Sequence, residues 1–299
     1  MKNYLTFFLL LLSSLLFSQK KQIIVLNDND EPIPYVNVLI NKAEGIGLIS
    51  SHKGILSVTE ELLSNIKDSV IISCVGYTSL SLNREQFILK DTIHLKQADF
   101  LLSEFTVISE KPKTFFLGSH NIKGYPGYFL DVPGTEIAYF IPATSESIGK
   151  TIKKMYAYIS KEGVPTSDFK ILIYSSKGAI PTPDKILVNE NIIVHAKKGN
   201  EWVSFDVLKH NVKFPKTGIF ISVMWLNNAS EYTYVHKRRI RKNVEVKLFG
   251  QVLKAVCTDD KSYLNSVWSR NNLLQEVWVN HKDGMLPLIK CELIKEILN

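Results

Sequence analysis

The sequence predicts an all-β protein, because short apolar runs recur along the chain and residues typical of turns separate them. In two of these runs, residues 169–174 and 202–207, apolar side chains occupy every second position, which is the pattern of a half-buried strand. A third run, residues 219–226, is almost entirely apolar, as expected for a central strand covered on both faces. Together these patterns favour a β-sandwich.

The first part of the chain contains several predicted strands joined by turn-like segments. The strands are residues 23–26, 36–40, 55–58, 70–75 and 93–95. Turns are predicted at residues 28–30, 45–47 and 53–54, where glycine and short polar residues are concentrated. Residues 59–63 are predicted to form a helical turn with Thr59 as its N-cap.

The turns and strand ends between residues 47 and 77 contain a motif formed by Gly47, Ser50, Gly54, Gly76 and Tyr77. With this motif, residues 21–97 resemble the carboxypeptidase-regulatory-like domain, a transthyretin-like β-sandwich common at the start of bacterial surface and outer-membrane proteins. Ser51 stands where the family motif has an acidic residue, and Leu56 stands where it has an aromatic one. The resemblance implies a small sandwich of the cell envelope.

The first residues have the pattern of a secretory signal. Lys2 precedes an apolar run over residues 5–17, which is shorter than the roughly 20 residues of a membrane span and is closed by Ser18. The predicted organisation is a signal peptide over 1–18, a transthyretin-like sandwich over 19–97, a linker over 98–112 and a second domain over 113–299. We therefore expect an exported protein that is periplasmic, outer-membrane-associated or secreted, with no transmembrane span after signal removal. An uncleaved N-terminal anchor is the alternative.

The second domain is predicted to be a larger β-sandwich. Its strand candidates are residues 155–159, 169–174, 192–194, 202–207, 218–226, 244–249 and 287–293. Turns at 181–184, 198–200 and 283–284 give the strands sandwich-like spacing. Their order resembles jelly-roll sandwiches of the carbohydrate-binding type.

Composition and charge narrow the classes of function. With 45% hydrophobic and 22% charged residues the chain is globular, and its net charge of +7 is a mild basic excess that does not indicate nucleic acid in an exported protein. Three cysteines are an odd number for an oxidising compartment. Cys74 is expected in the core, and a bridge between Cys257 and Cys291 is left open.

No catalytic residue, metal site or cofactor is predicted from the sequence. None of the seven histidines is followed three residues later by a carboxylate, as a zinc carboxypeptidase site would need, and there is no phosphate-binding glycine loop. The acidic pairs 28–31 and 259–260 could bind Ca²⁺ through oxygen ligands. The hairpin loop at 28–30 is expected to be simply polar.

Positive charge is concentrated in a basic segment at residues 236–242. Its alternation would place cations on both faces of a strand, so we expect a loop or an exposed edge, where such charges also prevent unwanted pairing. The functional alternative is contact with an anionic lipid surface or an acidic polysaccharide. The candidate binding residues are Lys237, Arg238, Arg239, Arg241 and Lys242.

Aromatic residues of the second domain are numerous enough to form a sugar-stacking platform. The candidate platform residues are Trp202, Trp225, Trp268, Trp278, Tyr125, Tyr128, Tyr156, Tyr158, Tyr232 and Tyr234. Trp225 ends the most apolar run, and burial statistics favour the core for three of the four tryptophans. Trp268 and Trp278 are the candidate ligand contacts.

The sequence thus predicts a non-catalytic binding or accessory protein of the cell envelope, with a glycan as one ligand class. Two alternatives stay open. One is a glycan-acting hydrolase whose carboxylates are far apart in sequence. The other is a structural part associated with TonB-dependent transport, because residues 102–107 resemble the segment that joins such a module to a transporter plug.

Overall fold

A computed structural model describes residues 20–41, 46–67, 69–98, 112–226, 233–240, 242–273 and 275–295. The all-β fold class is confirmed, since the described residues form 22 strands and only two α-helices of five residues each. The chain divides into two compact units between Gln97 and Ala98. The predicted signal peptide and nearly all of the predicted linker lie outside the described residues. Among the described helices, none has the length and apolar character needed to cross a membrane.

The first unit is a sandwich of a three-stranded and a four-stranded sheet. Its strands are β1 (Lys21–Leu26), β2 (Asn37–Asn41), β3 (Ile46–Ile49), β4 (Ile55–Val58), β5 (Ser69–Ser73), β6 (Leu80–Asn83) and β7 (Thr92–His94). Their order is β4-β1-β7 in one sheet and β3-β2-β5-β6 in the other. Buried side chains from both sheets form one apolar cluster with Leu63 and Phe87 of the helices α1 (Glu60–Ser64) and α2 (Arg84–Ile88).

Local chemistry explains the ends of these elements. The Thr59 hydroxyl accepts a hydrogen bond from the backbone N–H of Leu62, so the predicted N-cap of α1 is confirmed. Gly54 turns with φ of 72°, and a Cβ there would lie 2.8 Å from the Val25 carbonyl oxygen. The predicted turn at 45–47 is wrong at Gly47, which pairs with Leu39 inside β3 beside a register shift. Gly47 therefore lies opposite a bulge in β2 rather than in a turn.

The first unit is expected to fold by itself, because all pairings of β1 to β7 close within it and it has its own apolar cluster. A fragment of residues 21–97 should give a β-type circular dichroism spectrum and a cooperative thermal transition. A disordered spectrum would contradict the division into two modules.

The second unit is a larger sandwich of a seven-stranded and an eight-stranded sheet. Its strands are β8 (Thr114–Gly118), β9 (Tyr125–Asp131), β10 (Thr135–Ile141), β11 (Ile152–Gly163), β12 (Phe169–Lys177), β13 (Thr182–Ile186), β14 (Ile192–Val194), β15 (Glu201–Asp206), β16 (Ile219–Trp225), β17 (Thr233–Ile240), β18 (Lys242–Cys257), β19 (Val267–Asn271), β20 (Gln275–His281), β21 (Met285–Pro287) and β22 (Ile289–Ile294). One sheet has the order β13-β12-β16-β10-β19-β20, with β14 beside β12. The other has the order β17-β18-β11-β22-β8, with β15 beside β11 and with β9 and β21 beside β18.

One core lies between these two sheets. Every residue of β16 is buried, which confirms the prediction of a central strand from its apolar run. Trp225 at the end of β16 is fully buried, and its indole N–H donates a 2.9 Å hydrogen bond to the Gln251 carbonyl oxygen. Cys291 is also buried in this core, and both Cys291 and Cys257 are free cysteines.

Two predictions for this unit are wrong, the first of them in part. A turn is present at Pro181, but residues 182–184 of the turn expected at 181–184 belong to the edge strand β13. Pro183 is tolerated there because an edge strand need not donate every backbone hydrogen bond. Three tryptophans were expected in the core, but Trp202, Trp268 and Trp278 are all partly exposed. The reason is strand alternation, which directs these three rings to the outer faces of the two sheets.

Candidate functional site

The most distinctive surface is an aromatic strip on the outer face of the eight-stranded sheet. We define the aromatic strip as the rings of Phe116, Tyr156, Tyr158 and Trp202 with the ammonium groups of Lys254 and Lys290. Phe116 is 41% exposed, and the other three rings are half-buried.

Strand alternation creates the aromatic strip. In β11, Met155, Ala157 and Ile159 face the core, so Tyr156 and Tyr158 between them point the other way. The other strands follow the same rule, since the neighbours of the strip residues belong to the core. These neighbours are Phe115 and Leu117 in β8, Val203 in β15, Leu253 and Ala255 in β18, and Ile289 and Cys291 in β22.

The strand register places the strip residues beside one another. Tyr158 lies opposite Trp202 of β15, and Tyr156 lies opposite Lys290 of β22. The Tyr158 and Trp202 rings meet edge to face, with centroids 5.3 Å apart, and Phe116 meets Tyr156 in the same way at 5.8 Å. Such aromatic pairs add about 0.5–1.5 kcal/mol beyond the area that they bury.

Two lysines lie over these rings. The Lys290 Nζ is 4.4 Å from the Trp202 ring centroid, 4.5 Å from that of Phe116 and 5.1 Å from that of Tyr156. The Lys254 Nζ is 5.0 Å from the centroid of Tyr158. These are cation–π distances, so each ring of the strip has a lysine ammonium over it.

Glu292 is a buried carboxylate at this face, and Lys153 and Tyr156 stabilise its charge. Its Oε1 accepts a 3.0 Å hydrogen bond from Lys153 Nζ, and its Oε2 accepts a 2.7 Å hydrogen bond from the Tyr156 hydroxyl. Burial alone would raise the pKa of Glu292, but these donors outweigh burial and lower it. Burial lowers the pKa of Lys290, which the Glu292 charge partly opposes.

Gly118 and Ser119 allow the end of β8 to pack closely against β22. Gly118 lies opposite Lys290 with φ of 138°, and a Cβ on it would be 2.3 Å from the Ile289 carbonyl oxygen. The buried Ser119 hydroxyl donates to the Pro287 carbonyl oxygen at 2.5 Å and accepts from the Ile289 N–H at 2.9 Å. His120 follows Ser119 in the chain, and burial together with the charge of Lys290 lowers its pKa.

Four of the five predicted basic residues belong to the paired strands β17 and β18 at the edge of the same sheet. Residues 237–240 lie in the edge strand β17, Lys242 begins β18, and Arg241 lies outside the described residues. The register pairs Lys237 with Glu245. Since β18 pairs with β9 and β11 only from Phe249 onward, the end of this strand pair is a two-stranded ribbon. The edge position agrees with the expectation for the segment, and its role in binding stays a prediction.

Trp268 and Trp278 lie on the other sheet, in β19 and β20, so the structure does not bring them together with the basic segment. The Trp268 indole N–H donates to the Asn265 carbonyl oxygen at 3.1 Å. The Trp278 ring lies over the Arg270 guanidinium, with its centroid 4.4 Å from Cζ. Both side chains therefore make internal contacts, and their role in ligand binding remains a prediction.

Beside Trp278 lies a buried polar network centred on Glu136, whose side chain is 0% exposed. Its carboxylate accepts hydrogen bonds from Tyr174 at 2.8 Å, Arg270 Nε at 3.0 Å and Asn272 at 3.1 Å, and another from the Ser222 hydroxyl. Arg270 also donates to the Tyr174 hydroxyl at 2.7 Å. Burial and the Glu136 charge raise the pKa of Tyr174, although Arg270 opposes the shift. With its oxygens engaged in this way, Glu136 is a structural charge rather than an open site.

Three of the remaining acidic candidates, Asp28, Asp30 and Asp260, are engaged in local structure. Asp260 caps a 3-10 helix by accepting a 2.9 Å hydrogen bond from the Ser262 N–H. Asp28 accepts from the Gln97 N–H, and Asp30 lies 3.0 Å from His94 Nε2. Within the described ranges, no group of three or more potential metal ligands is present. The transporter-linker residues 102–107 lie outside the described residues.

Sequence reasoning identified only part of the aromatic strip. Tyr156, Tyr158 and Trp202 were among the platform candidates, whereas Phe116, Lys254 and Lys290 were missed. The alternation of Lys290 and Glu292 with core residues was a local signal for an outward face. The meeting of five strands at this face could not be read from local patterns.

Comparisons with known proteins assign no family to the chain. No family model matches it, and no curated protein matches it. Two solved structures, of the Gt and Gx strains of infectious bursal disease virus, align with 9% and 8% identity and TM-scores of 0.21 and 0.22. Each alignment covers 89% of this chain and 56% of the viral chain. At such TM-scores these likenesses carry no argument about fold or function.

Proposed function

We propose that the protein is an exported, non-catalytic binding protein of the cell envelope whose ligand is a glycan. The observation that carries this proposal is the aromatic strip. Its rings are held on strands of a packed sandwich, so they offer a rigid apolar surface, and exposed apolar surface of this kind marks interaction sites. The C–H faces of sugar rings are suitable partners for such a surface.

The electrostatics of the strip support binding rather than hydrolysis. A glycosidase needs a carboxylic acid with a raised pKa to protonate the leaving group. The pKa of Glu292 is lowered instead, because Tyr156 and Lys153 stabilise its charged form. Glu292 is therefore suited to holding Tyr156 in place.

Export and envelope location rest on the sequence. They are supported by the signal-like residues 1–18 and by the resemblance of residues 21–97 to the carboxypeptidase-regulatory-like domain. In this proposal the first unit is an envelope module and the second unit carries the binding surface.

Trp202→Ala is expected to lower glycan affinity at least about 10-fold, as loss of a central aromatic anchor does. The mature protein would be screened on a glycan array, and dissociation constants of the hits measured by titration calorimetry. Trp268→Ala is the matched control, because Trp268 is also partly exposed but lies on the other sheet. Loss of binding with Trp268→Ala or Trp278→Ala, and not with Trp202→Ala, would move the site to the seven-stranded sheet. Absence of any bound glycan would refute the proposed function.

A further inference from the structure

The cations of the aromatic strip indicate which kind of glycan it would bind. Lys290 contacts three ring faces and Lys254 contacts one. In the described part of the chain, neither ammonium lies within salt-bridge distance of a carboxylate, whereas Lys153 does pair with Glu292. The aromatic strip thus presents two ammonium groups that form no ion pair with a carboxylate of the described residues.

The geometry points to an acidic polysaccharide as the ligand of the aromatic strip, with the carboxylates of its uronic acid units paired with Lys290 and Lys254 while its sugar rings stack on Trp202 and Tyr158. This inference rests on the proposed function and names its ligand class. Two properties of such a polymer match the strip, since its rings have apolar faces and its carboxylates recur along the chain.

The rings also prepare the lysines for this role. Each cation–π contact at an exposed site is worth about 0.5–1 kcal/mol, so the rings hold the ammonium groups in place before a ligand arrives. A held side chain loses less rotamer freedom on binding, which favours affinity. The opposing carboxylate, Glu292, is engaged by Lys153 and Tyr156, so it repels an incoming anion less than an unpaired carboxylate would.

A neutral glycan would contact the rings of the aromatic strip but would not pair with its two ammonium groups. It could stack on Trp202 and Tyr158, but it would cover the two ammonium groups without giving them a counter-charge, which costs desolvation. A phosphate-rich membrane would satisfy the lysines without needing the edge-to-face pair of Tyr158 and Trp202. A ligand that combines sugar rings with carboxylates uses both features.

The test uses a set of uronic acid polymers, each paired with its carboxyl-reduced or methyl-esterified counterpart. Polygalacturonate, alginate and hyaluronate would be titrated into the mature protein at low salt. At least one acidic polymer is expected to bind about 10-fold more tightly than its neutral counterpart, and the difference should shrink as salt screens the charges. Lys290→Met should remove this difference, because it deletes the ammonium group that lies over three rings of the aromatic strip.

Each outcome of the test separates the inference from the proposed function. Binding of neutral glycans that needs Trp202 but not Lys290 would overturn the acidic ligand and leave glycan binding intact. If no polymer or array glycan binds, both fall. If acidic binding survives Lys290→Met and is lost when Arg238, Arg239 and Arg241 become Gln, the ligand belongs to the basic segment, and the inference is wrong. Tighter retention on phosphatidylglycerol vesicles, dependent on Lys290, would also overturn it.

Discussion

Arg270→Met is expected to destabilise the second unit by about 3–5 kcal/mol, because it leaves a buried carboxylate without its cation. Glu136 is 0% exposed, and Arg270 donates to it and to Tyr174, which also donates to Glu136. Met has a similar length and fills much of the same space, so the loss would come mainly from the uncompensated charge. All four tryptophans belong to the second unit, so denaturant unfolding followed by tryptophan fluorescence reports on that unit alone.

A double-mutant cycle identifies the cause of this loss. Glu136→Met/Arg270→Met should be at least about 2 kcal/mol more stable than Arg270→Met alone, since replacing both partners removes the unpaired charge. Glu136→Met alone should cost less than Arg270→Met, because the Arg270 side chain is 20% exposed and can reach water. Equal stability of Arg270→Met and the double variant would contradict the role assigned to this pair.

Features that depend on local side-chain periodicity could be predicted from the sequence. The alternation in 202–207 predicted both the strand β15 and its half-buried character. The run 219–226 predicted a central strand, because covering both faces favours apolar residues at nearly every position. These features depend on side-chain periodicity alone.

Features that depend on strand order were not accessible from the sequence. Phe116 joins the aromatic strip because β8 pairs with β22 near the other end of the chain, and no local pattern encodes that pairing. Glu136 is an acidic residue within an otherwise apolar strand, and its partners come from β12, β16 and β19 and from Asn272 just beyond β19. The acidic residue in that strand was the available signal, and its meaning depends on neighbours brought together by the fold.

The second unit is also expected to lose stability steeply in alkali. Burial raises the pKa of Tyr139 and Tyr174 from the ordinary value of 10.0, and it raises the pKa of the Cys291 thiol from 9.0 to about 12. Above these ordinary values the unfolded chain releases its protons while the folded chain keeps them. The free energy of unfolding therefore falls with rising pH, by about 1.4 kcal/mol per pH unit for each such group.

This loss should begin near pH 9 through Cys291 and become steeper above pH 10, where both tyrosines add to it. Denaturant unfolding followed by tryptophan fluorescence between pH 8 and 11 measures the slope. Tyr139→Phe should reduce the slope above pH 10, whereas Tyr125→Phe is the matched control because Tyr125 is 76% exposed. A stability that stays flat to pH 11, or an equal effect of the two substitutions, would mean that the buried hydroxyls ionise as readily in the folded protein as in the unfolded chain.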